Sequence, residues 1–333
     1  MEAFEIAERP AEVAAEEMRA AVIDAPGRAR IETLPCPSPG PGEVLVRLEG
    51  CGVCASNLVP WSGPEWMRFP TEPGGLGHEA WGRIAALGPG VAGLELGQRV
   101  ATLGQNGFAT HQLVAAEAVV PLPPELDGMP FPGEAFACAM NIFRRAGITA
   151  GDWVAVVGVG FIGAALTRLA AAAGARVIGV SRRDAALGLA REMGAEHVAR
   201  FDAEAHETVG RLTGHRFCDV AIECVGNQSA LDLASGLVAT GGRLVIAGYH
   251  QDGPRSVDMQ SWNWRGIDVI NAHERDPKVY LRGLREAVQA ARDGLLDPRA
   301  LVTDAFPLDR LDAALDAQRD RPGALVKAYV RCD

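Results

Sequence analysis

Trp153-Val154-Ala155-Val156-Val157-Gly158-Val159-Gly160-Phe161-Ile162-Gly163 is the stretch whose reading decides the fold. Its first five residues are apolar without interruption, the pattern of a strand buried on both faces of a parallel sheet. The next six match G-x-G-x-x-G. In a chain with 39 glycines such a triplet carries little weight alone. Here it follows an apolar strand and opens an alanine-rich helical run, Phe161 to Ala173, and that context gives it a mechanism. Gly158 makes the turn, Gly160 lets backbone approach a pyrophosphate, and Gly163 lets the helix pack on the strand. Phe161 and Ile162 begin a helix whose N-terminus faces the negative charge. The alternative is a glycine turn with no ligand.

Working outward, strand-like runs recur at Arg176 to Val180, Asp219 to Glu223 and Arg243 to Ala247. Helical runs separate or follow them at Ala185 to Met193, Ala230 to Val238 and Val279 to Asp293. Strand and helix in alternation mean an α/β fold with a doubly wound parallel sheet. Upstream the style differs. Met18 to Ile23, Glu43 to Leu48, Arg83 to Gly88 and Gln98 to Ala101 are short β-runs between glycines, with Pro35, Pro37, Pro39 and Pro41 breaking one connection. This predicts a compact β-rich domain. The expected division is an N-terminal extension at 1–17, helical or disordered, a catalytic domain at 18–140 with 297–333, and a dinucleotide-binding domain at 141–296.

The second strand of the doubly wound half ends in Ser181-Arg182-Arg183. An acid there would bind the ribose hydroxyls of NAD. A small hydroxyl residue followed by two guanidinium groups instead suits a 2'-phosphate, so NADP is favoured over NAD. The alternative is a solvated helix start with Asp184 as N-cap.

Composition narrows the function classes. The chain has 333 residues, 48% of them hydrophobic, enough for a large core. A formal charge of -10 argues against nucleic acid as a partner. No apolar run is long enough to span a membrane, and Met1 to Ile6 is acidic, unlike a secretory signal. Seven cysteines, an odd count at uneven spacing, do not form a disulfide framework. A reducing cytoplasm is expected.

Cys51-Gly52-Val53-Cys54-Ala55-Ser56-Asn57, then Gly77-His78-Glu79, then Glu134 set a thiol, an imidazole and carboxylates ahead of the dinucleotide turn. Such a set can hold one zinc ion with a position open for substrate. A lone Cys or His is more often structural, so the surrounding motifs matter. With Gly88, Val91, Gly97 and Val100 at their intervals, these segments resemble the medium-chain zinc-dependent alcohol dehydrogenases, from about Met18 to the C-terminus. The resemblance implies a GroES-like catalytic domain joined to a Rossmann domain. It implies Cys54 and His78 as zinc ligands and Glu79 as an acid that moves on and off the metal. The third ligand falls near Glu134, as in the polyol and sorbitol dehydrogenases, with Cys138 four residues on as its rival. Cys51 reads as a packed strand residue, with a Cys51–Cys54 redox pair as the alternative. Ser56 falls where the family hydrogen-bonds the reacting oxygen and passes its proton. Val225, Gly248, Tyr249, Asn271 and Ala272 fall along the nicotinamide side.

The chain also departs from the family. The lobe of four cysteines that holds a structural zinc is missing, so one catalytic zinc and no structural zinc are expected. Asn57 stands where the family has an Asp that orients the zinc-bound His, and Val59 where it has a relay His. Trp61, Trp66 and Phe69 are read as walls of the substrate pocket, with core packing as the alternative. Asn141, Tyr249 and His250 add polar groups. The expected activity is hydride transfer between NAD(P) and a secondary alcohol or ketone, a polyol, cyclitol or sugar derivative. The rivals are a zinc-free quinone or enoyl reductase of the same superfamily and a non-catalytic NADPH-binding sensor. A homodimer or homotetramer is expected.

Overall fold

The computed structural model of the chain describes residues 17–332; the rest of the extension expected at 1–17 lies outside the described residues. Trp153–Val157 is a strand with all five residues buried. It lies inside a six-stranded sheet ordered His197–Arg200, Arg176–Ser181, Trp153–Val157, Cys218–Glu223, Val238–Ile246 and Asp268–Asn271. Every pair in it is parallel. Numbered along the chain the order is 3-2-1-4-5-6, that of the dinucleotide-binding sheets. The strand order reverses between Trp153–Val157 and Cys218–Glu223. Gly158 and Val225 follow those two strands, at the crevice where such sheets bind ligands.

The helices start where acceptor side chains cap them. Asn227 accepts from Ala230 N–H ahead of Gln228–Gly236. Asp276 accepts from Lys278 N–H ahead of Pro277–Arg292, whose proline occupies the first turn. Both helices therefore begin two residues before the sequence expectation. The helix at the end of the second strand is Asp184–Glu192, and Arg183 rather than Asp184 is its N-cap residue.

A seven-stranded sheet organises the other half. Its path runs Asp304–Pro307, Ala328–Arg331, Glu43–Gly52, Ala80–Leu87, Arg99–Thr102 and Val119–Pro121, with His111–Ala115 also paired to Glu43–Gly52. The last strand of the chain thus returns to lie beside the one that leads to Cys54. Glu17–Ala25 and Arg28–Pro35 form a separate antiparallel pair.

One apolar core spans both sheets. Trp81 and Ala101 from the seven-stranded sheet, Phe131 and Phe136, and Val154 and Phe161 from the dinucleotide half belong to the same buried cluster. Phe136 meets Phe131 at 5.2 Å and Phe161 at 4.9 Å between ring centroids. The helix Gly133–Ala146 carries Phe136 and begins beside Glu134. The first turn of that helix is thereby fixed against the first turn of Phe161–Ala172.

Candidate active site

Strand Glu43–Gly52 delivers the chain to Cys54. A Cβ on Gly52 would lie 2.0 Å from Glu79 Oε2, so only glycine leaves room for that carboxylate. After Cys54 a single turn, Ala55–Asn57, buries Asn57. Its Oδ1 accepts from Cys54 N–H at 3.0 Å and its Nδ2 donates to the Leu76 carbonyl at 3.0 Å. One donor and one acceptor as partners leave the amide a single orientation.

Leu76 has φ 69°, in the left-handed region that leucine seldom adopts. Its carbonyl also receives His78 Nδ1–H at 2.9 Å. A backbone carbonyl therefore performs the orienting task that the family gives to an acid. The bond places the ring proton on Nδ1 and leaves Nε2 free to ligate. Burial works against a charged His78, but hydrogen bonding to Cys54 and the nearby Glu134 and Glu79 carboxylates push its pKa up to about 10. A metal held at Nε2 would replace the proton there and leave the one on Nδ1.

The sulfur of Cys54, a ring nitrogen of His78 and a carboxylate oxygen of Glu79 lie within 4.8 Å of one another. Thiol, imidazole and carboxylate are a donor set suited to zinc. Glu79 has a second engagement that the sequence reading missed. Lys327 Nζ donates to both of its oxygens, at 2.8 and 2.7 Å, and to the Val53 carbonyl at 3.3 Å. Both side chains are buried. Burial alone would lower the Lys327 pKa; Glu79, helped by Cys54 and Glu134, more than offsets this and holds the ammonium charged. Lys327 Nζ also lies 4.7 Å from the centre of the Phe161 ring, at the dinucleotide turn.

Glu134 opens the helix Gly133–Ala146 near enough to act on the charge of His78, but outside the 4.8 Å group. It accepts from the Cys138 thiol at 3.3 Å, and that sulfur lies 3.6 Å from the Tyr280 hydroxyl. Burial raises the Glu134 pKa and His78 offsets part of the rise. Asn141, one turn on, is buried with its Nδ2 unpartnered among the described residues. Ser56 sits in the turn after Cys54, and its carbonyl accepts from Gln251 Nε2 at 3.2 Å across the two halves. Trp61 is not a pocket wall: it is 1% exposed and its Nε1 donates to Asp316 at 2.9 Å. Trp66 is exposed and Phe69 packs against the buried cluster under the seven-stranded sheet.

On the dinucleotide side the glycines are required by space. A Cβ on Gly163 would lie 2.0 Å from the Gly158 carbonyl, and Gly158 itself has φ 98°. Val225 Cγ2 stands 2.4 Å from where a Cβ on Gly158 would be. Buried Glu223 fixes that corner. It accepts from Val225 N–H, Gly226 N–H and His250 Nε2 at 2.6, 2.8 and 3.0 Å. Gly248 packs against Gly226, and the half-exposed Tyr249 ring lies 5.3 Å from that of His273. Asn271 Oδ1 accepts from His273 N–H, and Ala272 between them is buried.

The two arginines after Ser181 differ. Arg183 donates to the Gly323 and Leu325 carbonyls at 3.3 and 3.2 Å, so its guanidinium ties the two halves together. Arg182 lies 5.9 Å from the Phe201 ring, and Arg200 donates to its carbonyl while pairing with Asp184.

Comparison with known proteins matches these two halves separately. The alcohol dehydrogenase GroES-like domain matches residues 40–124, and the zinc-binding dehydrogenase family matches residues 162–289. The chain belongs to the medium-chain zinc-dependent alcohol dehydrogenase superfamily. Sheep sorbitol dehydrogenase is 28% identical over 94% of this chain and 96% of its own length. A protein of Sinorhizobium meliloti 1021 described as a zinc-binding dehydrogenase, solved bound to NADP, is 26% identical with a TM-score of 0.81, covering 95% of this chain and 99% of that one. The 2R,3R-butanediol dehydrogenase of Bacillus subtilis shares the fold, with TM-score 0.82 at 24% identity over 95% of this chain and 100% of its own. Both matched families are dehydrogenase families, so the chain carries the two parts of an alcohol dehydrogenase-type oxidoreductase. No helix among the described residues is long and apolar enough to cross a membrane.

Proposed function

We propose that the chain transfers hydride between NADP and a secondary alcohol of the polyol, cyclitol or sugar class, at one zinc ion held by Cys54, His78 and Glu134. The observation that carries this is the pairing of a sulfur–imidazole–carboxylate cluster with a glycine-lined dinucleotide turn, joined through Lys327. Glu79 gives both oxygens to Lys327, whereas Glu134 meets only a weak thiol donor and is the acid more easily recruited. Zinc, when bound, supplies a Lewis acid for the substrate oxygen, and the nicotinamide takes or returns the hydride.

The chain's own groups do the rest. Leu76 and Asn57 hold His78 and Cys54 in place. Ser56 relays the proton of the reacting hydroxyl, releasing its own towards solvent as it accepts the new one, and Glu79 with Lys327 supplies a buried charge pair at the cluster. Val225, Gly248, Tyr249, Asn271 and Ala272 form the nicotinamide side, with Gly158 to Gly163 under the diphosphate. Asn141, Tyr280 and Tyr249 offer polar groups suited to a substrate with several hydroxyls. Residues 18–140 with 297–333 serve as the catalytic domain and 141–296 as the cofactor domain. Ser181, Arg182 and Arg183 favour NADP, with Arg182 the guanidinium available to a 2'-phosphate.

Two further parts of the reading rest on surface features. The edge strand Asp268–Asn271, with Val269, Trp264 and Met259 exposed nearby, is the face through which copies of the chain associate. The described residues contain no disulfide, which suits a reducing cytoplasm. The test is zinc analysis of the purified chain together with turnover on a panel of polyols, cyclitols and keto sugars with both cofactors. One zinc per chain and NADP-linked oxidation are expected, with Glu134→Gln losing metal more readily than Glu79→Gln. A zinc-free chain active on quinones overturns the reading.

A further inference from the structure

Arg321 occupies an unusual place. It ends the helix Leu311–Asp320 in the left-handed region, at φ 47°. The helix belongs to the half built on the seven-stranded sheet, yet the guanidinium reaches the other half. Arg321 Nη1 stands 2.8 Å from where a Cβ on Gly160 would be, over the middle glycine of the dinucleotide turn. A side chain at 160 would evict it.

The guanidinium is underused. Its Nε donates to the Gln318 carbonyl at 3.3 Å, and no carboxylate pairs with it among the described residues. The acids on its own helix are engaged elsewhere: Asp312 pairs with Arg310, and Asp316 and Asp320 pair with Arg319. Burial disfavours its charge, and Arg183 is close enough to disfavour it further. The first N–H groups of Phe161–Ala172 have no intrahelical partner, and Gly160, as N-cap, offers no side chain to them. Both guanidinium groups donate to carbonyls and form no ion pair among the described residues, so with the positive end of a helix they make a corner suited to a doubly charged anion.

We infer that Arg321 is the residue that binds the diphosphate of the dinucleotide from the catalytic half, across the interface. It rests on the functional reading above and adds to it a cofactor-positioning residue that is neither in the glycine motif nor beside Ser181. Arg321 is also six residues before Lys327, which holds Glu79. The segment that reads the diphosphate is thus continuous with the one that reaches the metal cluster.

The variant Arg321→Gly tests this without risk to the fold, because glycine adopts φ 47° more readily than arginine. Binding of NADP, NAD, ADP and adenosine 2'-monophosphate to the purified full chain is measured by calorimetry. NADP, NAD and ADP should weaken by a common factor of about 10- to 100-fold, the loss of charge-assisted hydrogen bonds. Adenosine 2'-monophosphate, which lacks the diphosphate, should bind as to wild type. Arg321→Lys should recover part of the affinity, and the Arg321→Gly unfolding midpoint should not fall. A variant that keeps ADP affinity, or loses the monophosphate equally, overturns the assignment alone. A wild-type chain that binds no dinucleotide overturns the functional reading beneath it.

Discussion

Asn57→Asp is the substitution that most directly tests how the metal cluster is held. The family resemblance implies an acid here, so the exchange looks like a return toward that pattern. The hydrogen bonds argue for the opposite outcome. Asn57 Nδ2 donates to the Leu76 carbonyl at 3.0 Å, and a carboxylate has no proton to give. Two acceptors would face each other at a position that is 2% exposed. The lost bond costs about 1 kcal/mol, and an unsatisfied buried acceptor adds about 1–3 kcal/mol. The bond from Cys54 N–H to the other oxygen survives, so the net penalty is about 2–4 kcal/mol. Because the same carbonyl aims His78, part of the penalty appears as weaker metal binding, about 10- to 100-fold. Competition with a chromophoric chelator at neutral pH measures the second quantity, and urea unfolding of the chelator-treated protein the first. Unchanged or tighter zinc binding with an unchanged unfolding midpoint would refute the reasoning, since it would mean that an acid at 57 finds a donor the structure does not contain.

Three other outcomes are expected. Lys327→Met strands the buried Glu79 carboxylate and should cost about 3–5 kcal/mol in urea unfolding, whereas the double variant with Glu79→Gln should recover much of it; strict additivity of the two changes would contradict the pairing. Gly163→Ala drives a Cβ to 2.0 Å from the Gly158 carbonyl, so dinucleotide affinity should fall at least about tenfold while zinc content stays at the wild-type level, checked by calorimetry beside elemental analysis. Arg182→Ala should lower the ratio of kcat/KM for NADP over NAD, whereas Arg183→Ala, which loses the Gly323 and Leu325 carbonyls, should weaken both cofactors alike; equal selectivity loss in the two variants would remove the distinction drawn between them.

Much of the architecture was legible because it is written locally. The strand Trp153–Val157 and the glycine turn identify one another by adjacency, and the strand–helix alternation after them leaves few topologies. The caps at Asn227 and Asp276 were equally local signals, and reading them as starts gives the observed helix beginnings. The site is different because its partners are distant. Lys327 meets Glu79 across 248 residues. The signal available was a lone cation in the apolar run Ala324-Leu325-Val326-Lys327-Ala328, which calls for a buried anion without saying which. The Leu76 carbonyl carried no signal, since any residue has one and only the backbone angle aims it. Trp61 stays open between wall and core in sequence, because an aromatic between two ligands looks alike whether it faces a cleft or the Asp316 carboxylate.

The left-handed turn at Leu76 has a consequence for how this site tolerates change. The acceptor that aligns His78 and anchors Asn57 is main chain, so no codon at 76 can delete it. What a codon can do is make the turn harder or easier to form. In a library randomised at this position and sorted for zinc retention, glycine, asparagine and aspartate should be enriched and valine, isoleucine and threonine depleted, irrespective of polarity. The metal site would then be under selection for backbone shape at a residue whose side chain never approaches the chemistry, and a sequence logo of the survivors would show a conformational preference where a catalytic one is usually sought.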